Sequence, residues 1–401
     1  MSNASSANRY AVIVHVFAKT DVGKTRDHNE DAFVVADLTA MNASLDPSVM
    51  RHESGDRGSL FMVADGMGGA AAGEIASAMA TETVLRELDA RWRRVEAPTI
   101  ETFARAIKIA AEAANARIHR YAMDHPEYRG MGTTATIAGL LGDTLYLAQV
   151  GDSRAYLVRH GVAHQLTKDQ SLMQKLVEAG ELTQEEADQS ERRNIILQAL
   201  GPEPVVKVDL THQRVRRGDV LVLCSDGLSG QIRTEDIANV VRETPQLEEV
   251  CSTLIDLANA NGGPDNITVI AVRFEGPGLA AVSSADDVGH RVYTSEEDRR
   301  PTLVMDAAEL PLADVAELDD VTDEVEAVPT APSSARAQRM SPASGGFAGG
   351  APVRVSAASG GAEGTEREPR ISPQTLRLIF WAIGLVVAAA VLYRWLRSRE
   401  G

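Results

Sequence analysis

The sequence predicts an α+β protein in which layers of antiparallel sheet are covered by helices. Short apolar or alternating segments, which are typical of strands, come in runs along the chain, and segments with helical spacing come in separate runs. Glycine and aspartate turns such as Gly142-Asp143 separate neighbouring strands as in hairpins. The order of segments does not follow the repeated β-α-β pattern of a parallel sheet.

The predicted strands are rich in β-branched residues or wholly apolar, and they end at polar turns. In chain order they are Tyr10–Lys19, Ala32–Asp37, Leu60–Ala64, Thr134–Leu140, Thr144–Val150, Arg154–Arg159, Val220–Cys224 and Ile267–Phe274. The predicted helices have apolar residues that recur three and four positions apart. They are Ala72–Arg94, Thr99–Met123, Leu172–Ala179, Thr183–Asp188, Thr234–Arg242 and Leu247–Asn261. The polar stretch Met41–Gly58 predicts an exposed connection, and Lys168–Asn194 predicts a mobile one.

The chain of 401 residues is acidic, with 40 Lys and Arg against 57 Asp and Glu and a formal net charge of −17. This charge argues against nucleic acid as a partner, because nucleic-acid binders neutralise phosphates with clustered basic residues. Cys224 and Cys251 lie in apolar segments, which predicts buried free thiols and a reducing compartment. The N-terminus lacks the basic and apolar regions of a secretory signal, so we expect the folded part in the cytoplasm.

Three regions follow from the change in composition along the chain. Residues 9–275 form the predicted folded domain, and residues 276–370, first acidic and then rich in Ala, Pro, Ser and Gly, form a predicted disordered linker. The acidic part is interpreted as a solvated tether, with docking or autoinhibition as the alternative.

The most apolar run of the chain, Leu378–Tyr393, lies near the C-terminus. Counting from Leu376 to Leu396, with flanking arginines reaching the interface, it attains the roughly 20 residues that a bilayer requires. We expect a single-pass C-terminal anchor in the inner (cytoplasmic) membrane, with a protein-binding helix as the alternative. Basic residues are similar on both sides, so they do not set the orientation.

Acidic residues stand at strand ends or in glycine turns in five separate places. These are Glu30 and Asp31 in TRDHNED, Asp65 in ADGMGG, Asp152 in VGDSRAY, Asp226 in CSDGL and Asp265 in GPDNIT. Each one alone is explained by turn capping, and Asp143 is interpreted in this way. If they converge at one edge of a sheet pair, however, their mutual repulsion requires a multivalent cation. Oxygen ligands without paired His or Cys suit Mg²⁺ or Mn²⁺.

Arg26 lies four residues before Glu30, and its guanidinium is suited to holding a phosphate. The alternative is a surface ion pair with Glu30. Two metal ions with an arginine clamp fit hydrolysis of a phosphate ester, in which an activated water attacks phosphorus in line.

Together these motifs resemble the type-2C, metal-dependent Ser/Thr protein phosphatases in their compact bacterial form, over about residues 9–275. The resemblance implies a four-layer α-β-β-α sandwich with two central antiparallel sheets, and hydrolysis of phosphoserine and phosphothreonine in proteins. It implies two Mn²⁺ or Mg²⁺ ions and a third, weaker site. Phosphorylated proteins, including Ser/Thr kinases and their substrates, are the implied partners of a protein that we expect to be monomeric.

The resemblance also implies residue roles, beginning with the second metal. Asp65 is similar to the aspartate that bridges the two metals, and Gly66 to the glycine whose carbonyl binds the second. Glu30 resembles the other ligand of that metal, and Asp31 the neighbouring acid that orients a metal-bound water.

For the remaining positions, Asp226 and Asp265 look like ligands of the first metal, and Asp152 with Asp226 like ligands of the third. Arg26 matches the phosphate-binding arginine, and the turn 132–134 is expected to support the site without taking part in chemistry. Lys168–Asn194 corresponds to the variable flap associated with substrate choice.

One position departs from the animal members of the family, which carry a His as general acid just after the bridging Asp-Gly. Met67 stands there in this chain, as in bacterial members, and a lone loop residue such as His28 is interpreted as solvated. Two other functions stay open on the sequence alone. They are a phosphoprotein-binding scaffold without activity, which the retained carboxylates disfavour, and a hydrolase of small phosphate esters.

Overall fold

The computed structural model describes residues 11–44, 47–68, 72–188, 190, 192, 194–283 and 286–294. The chain divides into two units, Met1–Leu310 and Pro311–Gly401, and all described residues belong to the first. The predicted membrane span 376–396 and residues 295–370 of the predicted linker lie outside the described residues. Within the described part, none of the helices combines the length and apolar character that crossing a bilayer requires.

The described residues form thirteen strands, all paired in antiparallel fashion. They are β1 (Val12–Asp21), β2 (Asp31–Asp37), β3 (Asn42–Ala43), β4 (Arg51–Ser54), β5 (Ser59–Met67), β6 (Gly132–Thr133), β7 (Ala135–Leu141), β8 (Thr144–Val150), β9 (Arg154–Arg159), β10 (Val162–Gln165), β11 (Asp209–Arg214), β12 (Val220–Cys224) and β13 (Ile267–Glu275). One sheet has the strand order β10-β9-β12-β13-β1-β4, and the other has the order β11-β8-β7-β5-β2-β3, with β6 paired to β5.

Eight α-helices accompany the strands in the described residues. They are α1 (Pro47–Met50), α2 (Ala72–Glu87), α3 (Ile100–Asp124), α4 (Leu172–Glu178), α5 (Gln184–Asp188), α6 (Asp226–Ser229), α7 (Thr234–Glu243) and α8 (Leu247–Ala260). A π-helical turn, Leu88–Trp92, continues α2, and a 3-10 turn, Pro126–Tyr128, follows α3. The Thr99 side chain begins α3 by accepting a hydrogen bond from the Thr102 N–H.

Three apolar layers hold the four structural layers together. Between the sheets, alternate residues of β1 and β5, such as Val14 and Phe61, face each other. The opposite face of β5 packs through Met62 against α2 and α3, and β12 and β13 pack against α7 and α8. Strand β5 is apolar on both faces because both are covered, which explains its continuous apolar run. The predicted α+β sandwich of two antiparallel sheets is confirmed.

Several segments differ from the prediction. Met41–Gly58 was predicted to be an exposed connection, but it contains β3, α1 and β4, and the imidazole of His52 is buried there between Val49 O and Ser59 Oγ. Strand β11 was not predicted, because its sequence DLTHQR has no apolar alternation and it pairs with β8 on only one side. The predicted free thiols Cys224 and Cys251 are confirmed, and burial raises the pKa of each to about 12.

The predicted end of the domain at residue 275 is too early. Residues 276–283 and 286–294, which we call the C-terminal strap, continue to pack on the sandwich beyond β13. Leu279 is 1% exposed within the core between the sheets. Arg217 donates hydrogen bonds to Gly276 O and Leu279 O, and Val292 pairs with Thr211 on the edge of β11.

Charged groups also hold the C-terminal strap against the sandwich. Arg216 donates to Asp286 across 2.6 Å, and this ion pair holds the pKa of the Asp286 carboxyl well below its usual value. Beside it, Arg159 makes a buried two-point ion pair with Asp219 and donates to the Asp286 carbonyl. Composition predicted a linker here because the strap contributes few apolar residues, yet these few contacts order it.

We expect the Leu279→Ala variant of the full chain to lose about 2–4 kcal/mol of unfolding free energy, because it opens a cavity in the core between the sheets. Val292→Ala is the matched control, since Val292 is 66% exposed and its truncation should cost less than about 0.5 kcal/mol. Urea unfolding measures both. Equal stability of the two variants would show that the strap does not contribute to the folded domain.

Candidate active site

The sheet order brings the predicted acidic residues to one edge of the sandwich. Asp31 begins β2 and lies directly opposite Asp65 near the end of β5. Asp226 follows β12, and Asp265 comes shortly before β13. Asp152 lies in the turn between β8 and β9. Since neighbouring antiparallel strands start and end at the same edge, these five carboxylates become neighbours.

The carboxylates perturb one another because they lie close together at a half-buried edge, where Asp152 is buried and the others are partly exposed. Burial raises the pKa of Asp65 well above its usual range, and the charges of Asp31, Asp226, Asp152 and Asp265 raise it further. Burial likewise raises the pKa of Asp31 to about 7, although hydrogen bonds oppose it, and that of Asp152 to about 8, with Asp226 adding to the effect. Carboxylates in this setting favour a bound proton or a bound cation.

Two oxygen atoms indicate that the site suits a bound cation better than a bound proton. Asp31 Oδ1 and Asp152 Oδ1 are buried and have no hydrogen-bond partner in the described part of the chain. No three His, Cys, Asp or Glu side chains among the described residues form a ready-made metal-binding group, so what joins the carboxylates is charge and burial. Carboxylate oxygens whose lone pairs are buried and accept no hydrogen bond are suitable ligands for a hard divalent cation such as Mg²⁺ or Mn²⁺.

The backbone around Asp65 is held by two threonines. The Asp65 N–H donates to Thr134 Oγ1 at 3.0 Å, and Thr133 Oγ1 donates to Asp65 O at 2.9 Å. Thr134 Oγ1 also lies 2.7 Å from Ser153 Oγ, next to Asp152. The turn 132–134 thus contacts the Asp65 backbone directly, and its predicted role as a support of the site stays a prediction.

Close packing explains the glycine after Asp65. A Cβ on Gly66 would lie 2.3 Å from Gly73 O and 2.4 Å from Glu30 O, so no larger residue fits there. A Cβ on Gly73, in the first turn of α2, would lie 2.9 Å from Glu30 Oε2. Glu30 is therefore enclosed between strand and helix, and burial raises the pKa of its carboxyl while the charge of Arg26 opposes this. The sequence reasoning missed Gly73, which carries no signal apart from the Ala-rich helix around it.

Arg26 lies at the mouth of the site with its side chain 49% exposed. Its Nη2 donates to Asp265 Oδ2 at 2.8 Å, so the surface ion pair weighed for this residue forms with Asp265 and not with Glu30. The hydrogen bond with Asp265 raises the pKa of the guanidinium, and the charges of Glu30 and Asp65 add to the effect. The exposed side of the guanidinium is accessible to an incoming anion.

A second group of residues was missed because their contacts cross the fold. The side-chain oxygen of Asn266 accepts from the Glu30 N–H, and its amide donates to Val22 O and His28 O. Asn266 thus ties the loop that carries Arg26 and Glu30 to β13. The side chains of Ser225 and Thr268 donate to Asp31. In the sequence, Asn266, Ser225 and Thr268 are recognisable only as polar residues in or next to a buried strand, which does not predict these contacts.

A groove of about 710 Å³ leads away from the carboxylates. Asp152, Asp226 and Asp265 line it near the site, and Glu185 and Asn194 of the segment predicted as a flap line its far wall.

Comparisons with known proteins give a consistent result. The chain matches the family model "Protein phosphatase 2C" over residues 48–262. It is 36% identical over 260 residues to the serine/threonine phosphatase Stp of Listeria innocua, which covers 65% of this chain and 95% of the relative.

Solved structures agree with the sequence matches. The serine/threonine phosphatase PstP/Ppp of Mycobacterium tuberculosis is 36% identical, with a TM-score of 0.55 over 66% of this chain and 99% of that one. A structure of the PstP catalytic domain in complex with 2 manganese ions is 35% identical, with a TM-score of 0.54 over 66% of this chain and 99% of that one.

The raised pKa values predict how the stability of the metal-free protein depends on pH. A carboxyl whose pKa is raised by folding binds its proton more tightly in the folded state, so stability falls as pH rises between the unfolded and folded values. For Asp152 this window runs from 3.8 to about 8. We expect the melting temperature of chelator-treated Asp152→Asn to exceed that of wild type by about 3 °C or more at pH 8, with the difference shrinking towards pH 4.

The control for this comparison is Asp256→Asn, an exposed aspartate of α8, which should follow wild type at every pH. Adding Mn²⁺ should stabilise wild type more at pH 8 than at pH 5, because the cation competes with protons for the same oxygens. If the melting temperature of Asp152→Asn equals that of wild type from pH 4 to pH 8, folding does not raise the pKa of Asp152.

Proposed function

Because this chain belongs to the protein phosphatase 2C family, we propose that it hydrolyses phosphoserine and phosphothreonine in proteins in a reaction that depends on Mn²⁺ or Mg²⁺. The observation that carries this proposal is the cluster of mutually repelling acidic side chains at one edge of the sandwich, with an arginine at its mouth. Such an enzyme would oppose bacterial Ser/Thr kinases, so phosphorylated kinases and their substrates are the partners we propose.

The acidic residues divide into groups that would hold the cations. Asp65, Glu30 and the carbonyl of Gly66 lie together at the end of β5, and we propose that they serve one ion. Asp226 and Asp265 would serve the other, with Asp65 shared between them. Asp152, whose charge couples to that of Asp226, would contribute to a third, weaker site. The chemistry that such cations supply when bound is polarisation of the substrate's phosphoryl group and activation of a water molecule.

The protein itself would position the substrate and the reacting groups. The guanidinium of Arg26, half exposed beside Asp265, would bind the phosphoryl oxygens and set the phosphorus atom over the carboxylates. Asp31 lies opposite Asp65 and would orient the attacking water through Oδ1, which is buried and has no partner among the described residues. The groove beside Glu185 and Asn194 would hold the peptide on either side of the phosphorylated residue.

Full-length protein should release phosphate from a phosphothreonine peptide only when Mn²⁺ or Mg²⁺ is present. Asp65→Asn should lower kcat by about 10³-fold or more, because it removes the charge shared by both cations. Asp143→Asn, in the hairpin turn between β7 and β8, is the control and should retain wild-type activity.

Three outcomes of this assay are informative. An unchanged rate for Asp65→Asn in metal-replete buffer would overturn the site assignment. Turnover of p-nitrophenyl phosphate without turnover of the peptide would favour a hydrolase of small esters. Absence of turnover with either substrate, from folded wild type, would favour a phosphoprotein-binding scaffold.

We further propose that the enzyme is a monomer held at the inner membrane by residues 376–396, with the catalytic domain in the cytoplasm. Leu378–Tyr393 is the most apolar run of the chain, and Trp381, Tyr393 and Trp395 near its ends suit the membrane interface. The acidic segment before it would act as a tether that confines the domain near membrane-bound substrates.

Deleting residues 371–401 should move the protein from the membrane fraction to the soluble fraction and leave kcat within about twofold, since the site lies elsewhere. The double substitution Val386→Arg and Val387→Arg should do the same, because each arginine at the centre of a span costs about 3 kcal/mol. Val386→Leu with Val387→Leu is the matched control and should stay with the membrane. Wild type in the soluble fraction would rule out the anchor.

A further inference from the structure

A line of hydroxyl groups crosses from one sheet to the other beside Asp31. Thr20 on β1 and Thr268 on β13 are directly opposite each other in the first sheet, and their Oγ1 atoms are 2.7 Å apart. Thr268 Oγ1 lies 2.7 Å from Asp31 Oδ2 in the second sheet. Ser225, just after β12, places its Oγ 2.8 Å from the same Asp31 oxygen.

The direction of each hydrogen bond follows from the number of protons available. When Asp31 faces a cation it is a carboxylate, which only accepts, so Thr268 and Ser225 then donate to it. Thr268 has then used its single proton, and Thr20 must donate to Thr268. Thr20 in turn accepts from the side-chain amide of Asn29 at 2.8 Å. Every hydroxyl in this line therefore has one defined orientation.

The line of hydrogen bonds also returns to Asp31, through the side chain of Asn29. The side-chain oxygen of Asn29 accepts from the backbone N–H of Asp31 at 3.1 Å. Ser225 Oγ accepts from the Thr268 N–H at 2.9 Å, which joins the two donors to each other. Asp31 is thus gripped at its backbone and at one carboxylate oxygen by a single connected network.

The consequence lies in the difference between the two oxygens of Asp31. Oδ2 receives both hydroxyl donors, whereas Oδ1 is buried without a partner among the described residues. A carboxylate held at one oxygen cannot rotate freely, so Oδ1 stays available to the site. Thr268 is wholly buried between the apolar residues Ile267 and Val269, where valine has nearly the same shape and would suffice for packing alone.

We propose that Thr268, Ser225 and Thr20 are positioning residues, whose hydroxyls fix the Asp31 carboxylate so that its Oδ1 faces the bound cations and the attacking water. This inference rests on the proposed function for the identity of the site. It assigns a task to Thr20 of β1, Thr268 of β13 and Ser225 after β12, which reach Asp31 directly or through one another. Such supporting contacts commonly change metal affinity or activity by about 10–100-fold when they are removed.

The test compares Thr268→Val, which removes the hydroxyl and keeps the shape, with Thr268→Ser, which keeps the hydroxyl. Mn²⁺ affinity of the full chain is measured by calorimetry without substrate, and kcat and KM are measured with a phosphothreonine peptide. For Thr268→Val we expect Mn²⁺ affinity to fall about fivefold or more and kcat about tenfold or more, with KM within twofold of wild type. Thr268→Ser should stay within about twofold of wild type in all three quantities.

The proposal is overturned if Thr268→Val keeps Mn²⁺ affinity and kcat within twofold of wild type, or if Thr268→Ser shows the same losses. Should Thr268→Val fail to fold, as judged by its melting curve, the pair Thr20→Val and Thr20→Ser is held to the same criteria. If wild type shows no phosphatase activity, the proposed function fails. In that case the calorimetric comparison alone decides whether the hydroxyls position Asp31.

Discussion

The carboxylates clustered at one edge of the sandwich repel one another, and the packing of the whole domain has to hold them in place. Burial and the mutual charge of the group raise the pKa values of Asp31, Asp65 and Asp152. Side chains in such a state are held together only if packing elsewhere supplies the stability that their clustering costs. The three apolar layers on and between the sheets supply it, and they leave the polar groups confined to one edge.

The antiparallel arrangement is what makes this confinement possible. Asp31 begins its strand and Asp65 lies near the end of the neighbouring one, and the antiparallel register therefore places them side by side. The opposite edge of the sandwich has a different chemistry, with the strap closing the core through Leu279 and the buried ion pair of Arg159 and Asp219 beside it. One edge thus retains unpaired oxygens for ligands, while the other edge pairs its charges within the protein.

The supports of the site share one arrangement, in which short hydroxyl side chains that are distant in the sequence hold an aspartate in place. Thr133 and Thr134 hold the backbone of Asp65, and Thr268 and Ser225 hold the carboxylate of Asp31. Hydroxyl donors are neutral, so they orient an acid without neutralising the charge that a cation requires. A lysine or arginine in the same places would have competed with the metal.

The class of fold, most of the strands and helices, and the acidic turns that form the site were predictable from the sequence, because they depend on local periodicity and on residue type next to an apolar strand. Folding alone establishes that Arg26 pairs with Asp265, that Thr268 and Ser225 hold Asp31, and that the strap packs on the sandwich. These features join residues far apart in the chain through strand register and the closing of two sheets. A single sequence does not show which residues pair across two strands. A polar residue beside a strand is therefore equally compatible with a surface turn and with a contact inside the site.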